Sequence, residues 1–361
     1  MNSTYQLDKK YLKRCFILAK KGAGKVSPNP LVGAVIVKSG IVIGEGWHNK
    51  YGDSHAEVNA ITNAKVNISG ATLYCNLEPC CHSKKQTPPC VPLLIENKIS
   101  RVVISNIDPN KEVNGRGIRQ LKNAGIQVST GISEQEGQEL NKYYFKYVSK
   151  KIPYISIKIA QSIDGKISES KNKQTWLTGE KSVKYVHKLR SVYDAVLVGA
   201  NTIKTDDPQL TVRKVKGRNP IRIIIDGKLS ISLKSKVIET DDTQNTWIFT
   251  SKSSNKRKVK SLTENGVKVF QLKSNENNSL SLKKILNILT KEKITSLLVE
   301  GGADIFTQFI QKELFDELIV LQSPNILGRG IYSQNIQKLK KLELLSTSKL
   351  GEDIKLVYGK N

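Results

Sequence analysis

The chain has 361 residues, of which 38% are hydrophobic, and its 58 Lys and Arg residues against 32 Asp and Glu residues give a net charge of +26. This length exceeds the roughly 100 to 200 residues of one domain, so we expect two domains. No apolar run approaches the ~18 to 20 residues that cross a bilayer, and residues 1–10 are polar, without the apolar stretch of a signal peptide. These features exclude a membrane protein and predict a cytoplasmic one.

The positive charge raises the question of nucleic-acid binding. The excess comes from 48 lysines and 10 arginines, which are spread along the chain without a dense basic block. This pattern favours a solvated lysine surface, with attraction of phosphorylated substrates and polynucleotide binding as the alternatives. We therefore expect small-molecule partners and no nucleic acid.

Helical and alternating hydrophobic patterns succeed one another through the first half of the chain. Helices are predicted at 11–20, 55–64, 91–97, 118–124 and 133–147, and strands at 31–37, 41–46, 71–77, 101–106 and 126–131. Alternation of this kind predicts an α/β sandwich.

A polar and basic stretch at 149–153 separates this half from a fresh set of strands, so we predict domains at 1–149 and 150–361. In the second domain, strands are predicted at 154–160, 195–199, 221–226, 246–250, 267–272, 296–300, 317–322 and 353–358, and helices at 180–190, 282–291 and 303–312. Segments 251–260 and 274–281 have the composition of solvated loops. The second half is therefore expected to be another α/β unit.

Three of the five cysteines, Cys80, Cys81 and Cys90, lie in one Pro-rich loop, which suits metal binding better than disulfides. His55, two residues before Glu57, opens a predicted helix. A hydrolytic zinc site needs three protein ligands and an open position for water, and one imidazole with two thiolates supplies that set. Bound zinc lowers the pKa of water toward 7, and a carboxylate beside the metal can carry the proton to a departing amine. His-x-Glu followed by Pro-Cys is the signature of nucleobase deaminases, in which the Glu is the general acid/base.

The second half of that signature is longer here, because nine residues separate Cys80 from Cys90. Cys81 and His82 are possible fourth ligands, and a structural zinc site is the alternative to a catalytic one. Structural sites usually have four ligands and no role for Glu57, so the catalytic interpretation is favoured.

Several motifs of the first half resemble the deaminase half of the bifunctional pyrimidine deaminase/reductase family of riboflavin biosynthesis. They are residues 29–37 (NPLVGAVIV), 44–48 (GEGWH), 55–58 (HAEV), 77–80 (LEPC), 87–90 (TPPC), 108–110 (DPN) and 115–117 (GRG). The loop between Cys80 and Cys90 is similar to the long cysteine loop of that family, with one extra residue within 83–86.

The resemblance continues through the second half, to the reductase half of the same family. Its motifs are residues 153–158 (PYISIK), 162–166 (SIDGK), 176–178 (WLT), 206–213 (DDPQLTVR) and 299–302 (VEGG). The family implies a cytidine-deaminase-like three-layer α/β/α domain followed by a dihydrofolate-reductase-like α/β domain, and a homo-oligomer.

The resemblance also implies two consecutive reactions. First, 2,5-diamino-6-(phosphoribosylamino)pyrimidin-4-one loses its ring amino group as ammonia, with His55, Cys80 and Cys90 on zinc and Glu57 moving the proton. Then NADPH reduces the opened ribosyl group to a ribityl chain.

Further residues receive roles from the same resemblance. The family implies that Asn29 and His48 contact the pyrimidine and its ribose-phosphate tail, and that Lys85 meets the phosphate. For the reductase it implies two sets of contacts, with NADPH at Ala160, Trp176, Thr202, Asp206, Gly302, Ala303 and Asp304, and with the substrate at Gln174, Arg190, Leu210, Arg213 and Glu300. The roles of Asp164 and Lys166 stay open.

Physical arguments support part of this set. A predicted strand ends at Glu300, two glycines follow, and a helix is predicted from Ala303, so free backbone N–H groups and the positive helix end would receive a cofactor phosphate. A plain strand-to-helix turn is the alternative. Guanidinium groups match phosphate oxygens, which suits Arg190 and Arg213 to a phosphorylated substrate, with surface ion pairs as the alternative. No G-x-G-x-x-G motif follows a strand, which disfavours a Rossmann domain.

Two rival functions remain at this point. An RNA-editing zinc deaminase with an accessory RNA-binding domain predicts salt-dependent RNA binding and no use of NADPH. A non-catalytic, zinc-stabilised binding module predicts that Glu57→Gln has no effect.

Overall fold

The computed structural model describes residues 3–83, 87–170, 173–240, 242–276, 279–334, 336 and 341–360. They form two compact units, Met1–Ile152 and Pro153–Asn361. None of the helices in these ranges is long and apolar enough to cross a membrane.

The first unit contains a five-stranded sheet. Its strands are β1 (Gly33–Lys38), β2 (Ile41–Trp47), β3 (Thr72–Leu77), β4 (Arg101–Asn106) and β5 (Gln127–Thr130), in the spatial order β2-β1-β3-β4-β5. β1 pairs antiparallel with β2 and β3, whereas β3, β4 and β5 are parallel. Its helices are α1 (Ser3–Lys20), α2 (Ala56–Thr62), α3 (Cys90–Glu96), α4 (Arg116–Asn123), α5 (Glu134–Leu140) and α6 (Lys142–Lys150).

Apolar side chains cover both faces of this sheet. On one face α2, α3 and α4 bury Ala60, Leu94 and Leu121 against the strands. On the other face α1 buries Leu12 and Phe16. The unit is therefore the three-layer α/β/α sandwich that the sequence predicts.

Two helix boundaries differ from the sequence prediction. α1 begins at Ser3 rather than near residue 11. The polar composition of residues 1–10 hid its first turns, although Asp8 is buried there and paired with both Nη atoms of Arg101 at 2.7 and 2.8 Å. The single helix predicted at 133–147 is two helices that meet at Asn141. The Asn141 side chain accepts from the backbone N–H of Leu31 and donates to its carbonyl oxygen, so it ties this corner to the start of β1.

The second unit contains a nine-stranded sheet of order β11-β10-β9-β8-β12-β6-β13-β16-β15 and a two-stranded β14-β7 pair. Its strands are β6 (Tyr154–Gln161), β7 (Lys166–Ser168), β8 (Ala195–Gly199), β9 (Ile221–Ile225), β10 (Thr246–Ser251), β11 (Lys268–Leu272), β12 (Ser296–Val299), β13 (Glu317–Gln322), β14 (Ile331–Tyr332), β15 (Leu342–Leu350) and β16 (Asp353–Lys360). Its helices are α7 (Glu180–Val192), α8 (Ala200–Asp206), α9 (Lys256–Glu264), α10 (Leu282–Lys291) and α11 (Ala303–Gln311), with a 3-10 turn at Thr243–Asn245.

The first seven strands in this spatial order, from β11 through β13, are parallel to one another, and β16 and β15 add an antiparallel edge. The interior strand β8 is fully buried, with apolar clusters on both faces. Helices on both sides of a mostly parallel sheet produce such strands. The second unit is thus the α/β unit that the sequence predicts.

The sequence missed several elements of this unit. The loop predicted at 251–260 is wrong in its second half, because α9 begins at Lys256. Its basic composition hid the helix, but the side chain of Asn255 caps it by accepting from Lys258 N, and Leu262 is buried. α8 and the edge strand β15 were also missed. Most side chains of β15 are exposed, so they lack the alternation that marks a strand.

Candidate active sites

Three side chains predicted as metal ligands come together in the first unit. His55 directly precedes α2, Cys80 follows the end of β3, and Cys90 is the first residue of α3. His55 Nδ1 lies 3.4 Å from Sγ of Cys80 and 3.4 Å from Sγ of Cys90. The three ligand atoms all lie within 4.8 Å of one another, and both cysteines are buried. The fold therefore gathers one imidazole and two thiol groups at one point.

Their spacing suits zinc. Bonds of about 2.3 Å to sulfur and about 2.0 Å to nitrogen, at a tetrahedral angle, separate sulfur from nitrogen by about 3.5 Å. The observed separations of 3.4 Å agree with that value. The backbone N–H of Cys90 donates to Cys80 Sγ at 3.4 Å, which favours a thiolate. On the far side of the ring, His55 Nε2 lies 3.1 Å from Thr87 Oγ1, and such outer contacts orient a ligating imidazole.

The two other candidate ligands lie outside this cluster. Cys81 Sγ donates to the carbonyl oxygen of Glu112 at 3.7 Å. His82 borders the adjoining cavity, and its buried Nδ1 has no hydrogen-bond partner within the described ranges. Three clustered ligands leave a fourth position for water, which is typical of catalytic rather than structural zinc.

Glu57 lies beside the cluster without belonging to it. It occupies the first turn of α2, is 3% exposed, and lines a cavity of about 410 Å³ together with His55 and Cys80. A carboxylate in this place can take a proton from water and pass it to a leaving amine. The arrangement can therefore perform hydrolytic deamination.

The predicted pyrimidine contacts border the same cavity. Asn29 Nδ2 lies 3.1 Å from His48 Nε2, and His48 Nδ1 lies 3.1 Å from the carbonyl oxygen of Ser54. The His48 and His55 rings meet edge to face at 5.5 Å. Asn29 and His48 are thus joined to the ligand cluster, whereas Lys85 lies outside the described residues.

The cavity also contains a carboxylate to which the sequence assigned no role. Asp108 follows β4, is 6% exposed, and accepts hydrogen bonds from Tyr144 Oη at 2.9 and 3.2 Å and from Asn110 N at 2.8 Å. Burial is the main cause that raises the pKa of Asp108 to about 6. The sequence signal was the DPN motif, but its partner Tyr144 is 36 residues away.

Glu78 holds the loop that carries the first cysteine. Its buried carboxylate accepts from the backbone N–H groups of Asp108, Gly115 and Ile118 at 3.3, 2.9 and 3.2 Å. Two of these donors belong to the start of α4, where a negative charge is favoured by the helix dipole. Both carboxylate oxygens of Glu78 therefore accept backbone hydrogen bonds, and Glu78 stabilises the turn before Cys80 rather than binding a substrate.

In the second unit, the predicted substrate residues Arg190 and Glu300 form an ion pair. Arg190 donates from Nε and Nη2 to the two Glu300 oxygens at 2.7 and 2.8 Å, and Lys158 Nζ lies 3.4 Å from Glu300 Oε2. The side chains are only 12% and 5% exposed for Arg190 and Glu300. Burial alone would raise the pKa of Glu300, but the two cations hold it at about 2. The sequence predicted no role for Lys158, although this residue ends the PYISIK motif at 153–158.

The two glycines after β12 have different structural causes. A side chain at Gly301 would meet the backbone of Val198 and Gly199 at 2.6 and 2.7 Å, so β8 allows only glycine there. Gly302 has φ of +23° and caps α11, and a Cβ on it would lie 3.3 Å from Thr202 Oγ1. Gly302 and Thr202, both predicted cofactor contacts, are therefore neighbours. The first turn of α11, with Ala303 and Asp304, has no side-chain cap and offers its N–H groups to an anion.

The remaining predicted reductase residues lie in connecting segments or at element ends. Ala160 is half-buried near the end of β6, and Asp206 ends α8 with its pKa raised by burial. Leu210 is buried with φ of +55°, and Arg213 is exposed and donates to Gln209 Oε1 at 2.6 Å. Gln174 and Trp176 are exposed, Trp176 by 76%, so neither is packed into a formed site.

Family models match both units. Residues 5–106 match the cytidine and deoxycytidylate deaminase zinc-binding region, and residues 153–356 match the RibD C-terminal domain. These matches confirm the predicted fold class, a cytidine-deaminase-like domain followed by a dihydrofolate-reductase-like domain.

Full-length relatives and structures agree with these matches. The chain is 41% identical to the riboflavin biosynthesis protein RibD of Aquifex aeolicus, over 98% of each chain. It is 38% identical to RibD of Bacillus amyloliquefaciens, over 97% of this chain and 95% of the other. Among solved structures, Acinetobacter baumannii RibD superposes with a TM-score of 0.90 at 33% identity, over 99% of both chains. A diaminohydroxyphosphoribosylaminopyrimidine deaminase/5-amino-6-(5-phosphoribosylamino)uracil reductase from Thermotoga maritima has a TM-score of 0.88 at 35% identity, over 99% of this chain and 100% of the other.

Proposed function

We propose the substrates and the cofactor of the two sites from one premise: this chain belongs to the RibD family of bifunctional deaminase/reductases of riboflavin biosynthesis. The first site deaminates 2,5-diamino-6-(5-phosphoribosylamino)pyrimidin-4-one, and the second reduces the ribosyl group of the resulting aminouracil with NADPH. The observation that carries the proposal is the cluster of His55, Cys80 and Cys90 with Glu57 at its side, in a chain that matches both halves of the family in order. We assign residues 1–149 to the deaminase and 150–361 to the reductase, and the two compact units support that division.

In deamination, His55, Cys80 and Cys90 would hold zinc, which would supply Lewis-acid activation of water at neutral pH. Glu57 takes a proton from the water as the water oxygen bonds to the ring carbon. Glu57 then gives the proton to the amino nitrogen, so the carbon–nitrogen bond breaks and ammonia leaves. The burial of Glu57 excludes competing solvent from this transfer.

The pyrimidine is held by polar groups of the cavity. Asn29 and His48 contact the ring and the ribose-phosphate tail, and Lys85 meets the phosphate. Above its pKa of about 6, the Asp108 carboxylate accepts hydrogen bonds from N–H groups of the ring. The aminopyrimidine presents such donors, which favours it over an apolar ligand of the same cavity.

In reduction, the second site would hold NADPH, which would supply the hydride that reduces the anomeric carbon when the ribosyl carbon–oxygen ring bond is broken. The backbone N–H groups of Gly302, Ala303 and Asp304 receive a cofactor phosphate. Ala160, Trp176, Thr202 and Asp206 complete the cofactor contacts. Thr202 lies beside Gly302, which supports a shared role.

The ring oxygen that is released needs a proton. We assign this proton to the ammonium group of Lys158, which Glu300 holds in place by an ion pair. Glu300 positions the ammonium of Lys158, and Arg190 fixes Glu300 in turn. Arg213 binds the substrate phosphate with its exposed guanidinium, while Gln174 and Leu210 line the rest of the substrate site.

A coupled assay on the zinc-loaded protein tests the proposal. The phosphoribosylaminopyrimidine is supplied with NADPH, and ammonia release and NADPH oxidation are followed together. We expect both in a one-to-one ratio, and weaker oxidation of NADH. Ammonia release without NADPH oxidation would refute the reductase assignment. If the zinc-bound protein showed neither activity, the alternative of an RNA-editing deaminase, which the family matches do not favour, would have to be considered again. The cytoplasmic location, the homo-oligomeric state and the absence of nucleic-acid binding stay predictions.

A further inference from the structure

The segment that carries the proposed phosphate contact of the reductase is anchored to α7 at two points. Arg190 Nη1 donates to the carbonyl oxygen of Thr211 at 3.4 Å. One turn earlier on the same helix face, His187 Nδ1 accepts a hydrogen bond from the backbone N–H of Arg213 at 3.0 Å. Arg213 itself is exposed, whereas His187 is only 5% exposed.

This contact fixes the protonation state of His187. A backbone N–H can only donate, so the ring must present the lone pair of Nδ1, which requires the neutral tautomer with its proton on Nε2. A protonated ring would turn Nδ1 into a donor that opposes the Arg213 N–H, and the bond would be lost.

The surroundings of His187 favour the neutral ring. Burial is the main cause that lowers the pKa of His187, and the positive charges of Arg190, Arg213 and Lys214 lower it further. Glu300 opposes them, but its charge is already paired with Arg190. The ring therefore becomes protonated only below its ordinary pKa of about 6.5.

The segment needs an anchor because its backbone is unusual. Leu210 is buried with φ of +55°, a conformation that L-residues rarely adopt, and Val212 N donates to Asn219 Oδ1 at 2.8 Å. Without the bond to His187, the backbone N–H of Arg213 would lose its partner on α7, and of the two anchors only the bond from Arg190 to Thr211 would stay. The guanidinium would then sample more orientations.

We propose that His187 is a positioning residue of the reductase, whose neutral imidazole fixes the backbone at Arg213 so that the guanidinium faces the phosphate of the substrate. This inference rests on the proposed function, because it takes Arg213 as the phosphate contact. It assigns His187 no contact with substrate or cofactor. One neutral hydrogen bond corresponds to a roughly threefold to tenfold change in an equilibrium constant, so its loss should raise KM by that factor and leave kcat nearly unchanged.

Two substitutions separate an acceptor at this position from mere bulk. His187→Asn places Oδ1 where Nδ1 was and cannot be protonated in the working range, whereas His187→Leu fills similar space without an acceptor. Each full-length variant is assayed for reduction of the deaminated substrate from pH 5.5 to 8. Amide hydrogen exchange of a peptide spanning Arg213 is measured in the same range, and ammonia release and thermal melting report on folding.

Protonation of the substrate phosphate at about pH 6 raises KM in every variant. We expect the wild-type KM to rise more steeply than that of the Asn variant as the pH falls below about 6.5, and the Leu variant to have a high KM at every pH. Exchange at the Arg213 amide should follow the same order. A folded Leu variant with wild-type KM and amide protection would overturn the proposal, as would an Asn variant whose KM rises as steeply as that of the wild type at low pH. If wild-type protein fails to reduce the substrate at all, the proposed function fails, while amide exchange still decides whether His187 anchors Arg213.

Discussion

The deaminase site and the reductase site are built in different ways. In the first unit, the reactive groups are side chains from short motifs that a single turn or loop holds in place, such as His55 before α2 and Cys90 at the start of α3. In the second unit, the predicted cofactor contacts include the backbone N–H groups around Gly302, and the charged residues Lys158, Arg190 and Glu300 come from three separate elements. A metal site is thus readable from side-chain identity, whereas a cofactor site depends on conformation. The two sites should therefore respond differently to substitution.

The largest expected effect is at Glu57. Glu57→Gln should reduce deamination about 10³-fold, since a general acid/base contributes roughly 10² to 10⁴. Zinc content should not change, because Glu57 is not one of the three clustered ligands. Reduction of the deaminated substrate should also be unchanged. Ammonia release, metal analysis and NADPH oxidation measure the three quantities.

Glu78→Gln is the matched control for that variant. Both carboxylates line the cavity, but Glu78 accepts three backbone N–H bonds. We expect it to lower the melting temperature of the first unit. A Glu57→Gln protein that deaminates at the wild-type rate would contradict the assigned role and favour a zinc-stabilised binding module.

The next effect is on stability, in the reductase. Glu300→Gln leaves Arg190 and Lys158 without their buried counter-charge, and breaking a buried pair costs about 3 kcal/mol or more of the free energy of unfolding. The folded pKa of Glu300, about 2, lies below the unfolded value of about 4.3, so this stabilisation is present above pH 4.3 and is lost as the pH falls toward 2. Denaturant unfolding of both proteins at pH 7 and pH 3 should show a smaller difference at the lower pH. Equal stability at pH 7 would be inconsistent with this role.

A backbone effect comes third. Gly302→Ala places a Cβ at φ of +23° and 3.3 Å from Thr202 Oγ1, so the N–H groups at the start of α11 should shift. We expect the KM for NADPH to rise about tenfold, as for the loss of roughly 1.4 kcal/mol of binding, with deamination unchanged. Gly351→Ala introduces a similar strain, at φ of +72°, in the turn between β15 and β16. Gly351→Ala should destabilise the protein without changing the KM for NADPH. If both variants changed this KM equally, the assignment of Gly302 to the cofactor site would be wrong.

The smallest effect concerns the pair of Tyr144 and Asp108. The raised pKa of Asp108, about 6, means that the carboxylate becomes protonated and loses acceptor capacity as the pH falls through 6. The KM for deamination should therefore rise below pH 6, and Asp108→Asn should reduce that rise to the part caused by protonation of the substrate phosphate while raising KM at pH 8. Tyr144→Phe deletes one hydrogen bond and should raise KM about threefold. A Phe variant with unchanged KM across the range would show that Tyr144 only fills space.

Sequence patterns predicted most of the regular fold and the whole metal cluster, because periodicity and ligand spacing are local properties. They failed where a distant partner decides the outcome. Asp8 lies in the polar stretch at 1–10 for which no helix was predicted, yet it is buried against Arg101, and Asn141 separates two helices and binds the backbone of Leu31. Asp108 and Lys158 received no role for the same reason, since their meaning depends on Tyr144 and Glu300 far along the chain.

Selective removal of zinc tests the central claim, that one chain carries two separately built sites. The protein is treated with a chelator, and ammonia release from the aminopyrimidine and NADPH oxidation with the deaminated substrate are measured before treatment, after it, and after zinc is restored. We predict that ammonia release is lost and returns with zinc, while NADPH oxidation persists throughout. Ammonia release that survives complete removal of zinc, or a parallel loss of both activities in protein that remains folded, would contradict the account.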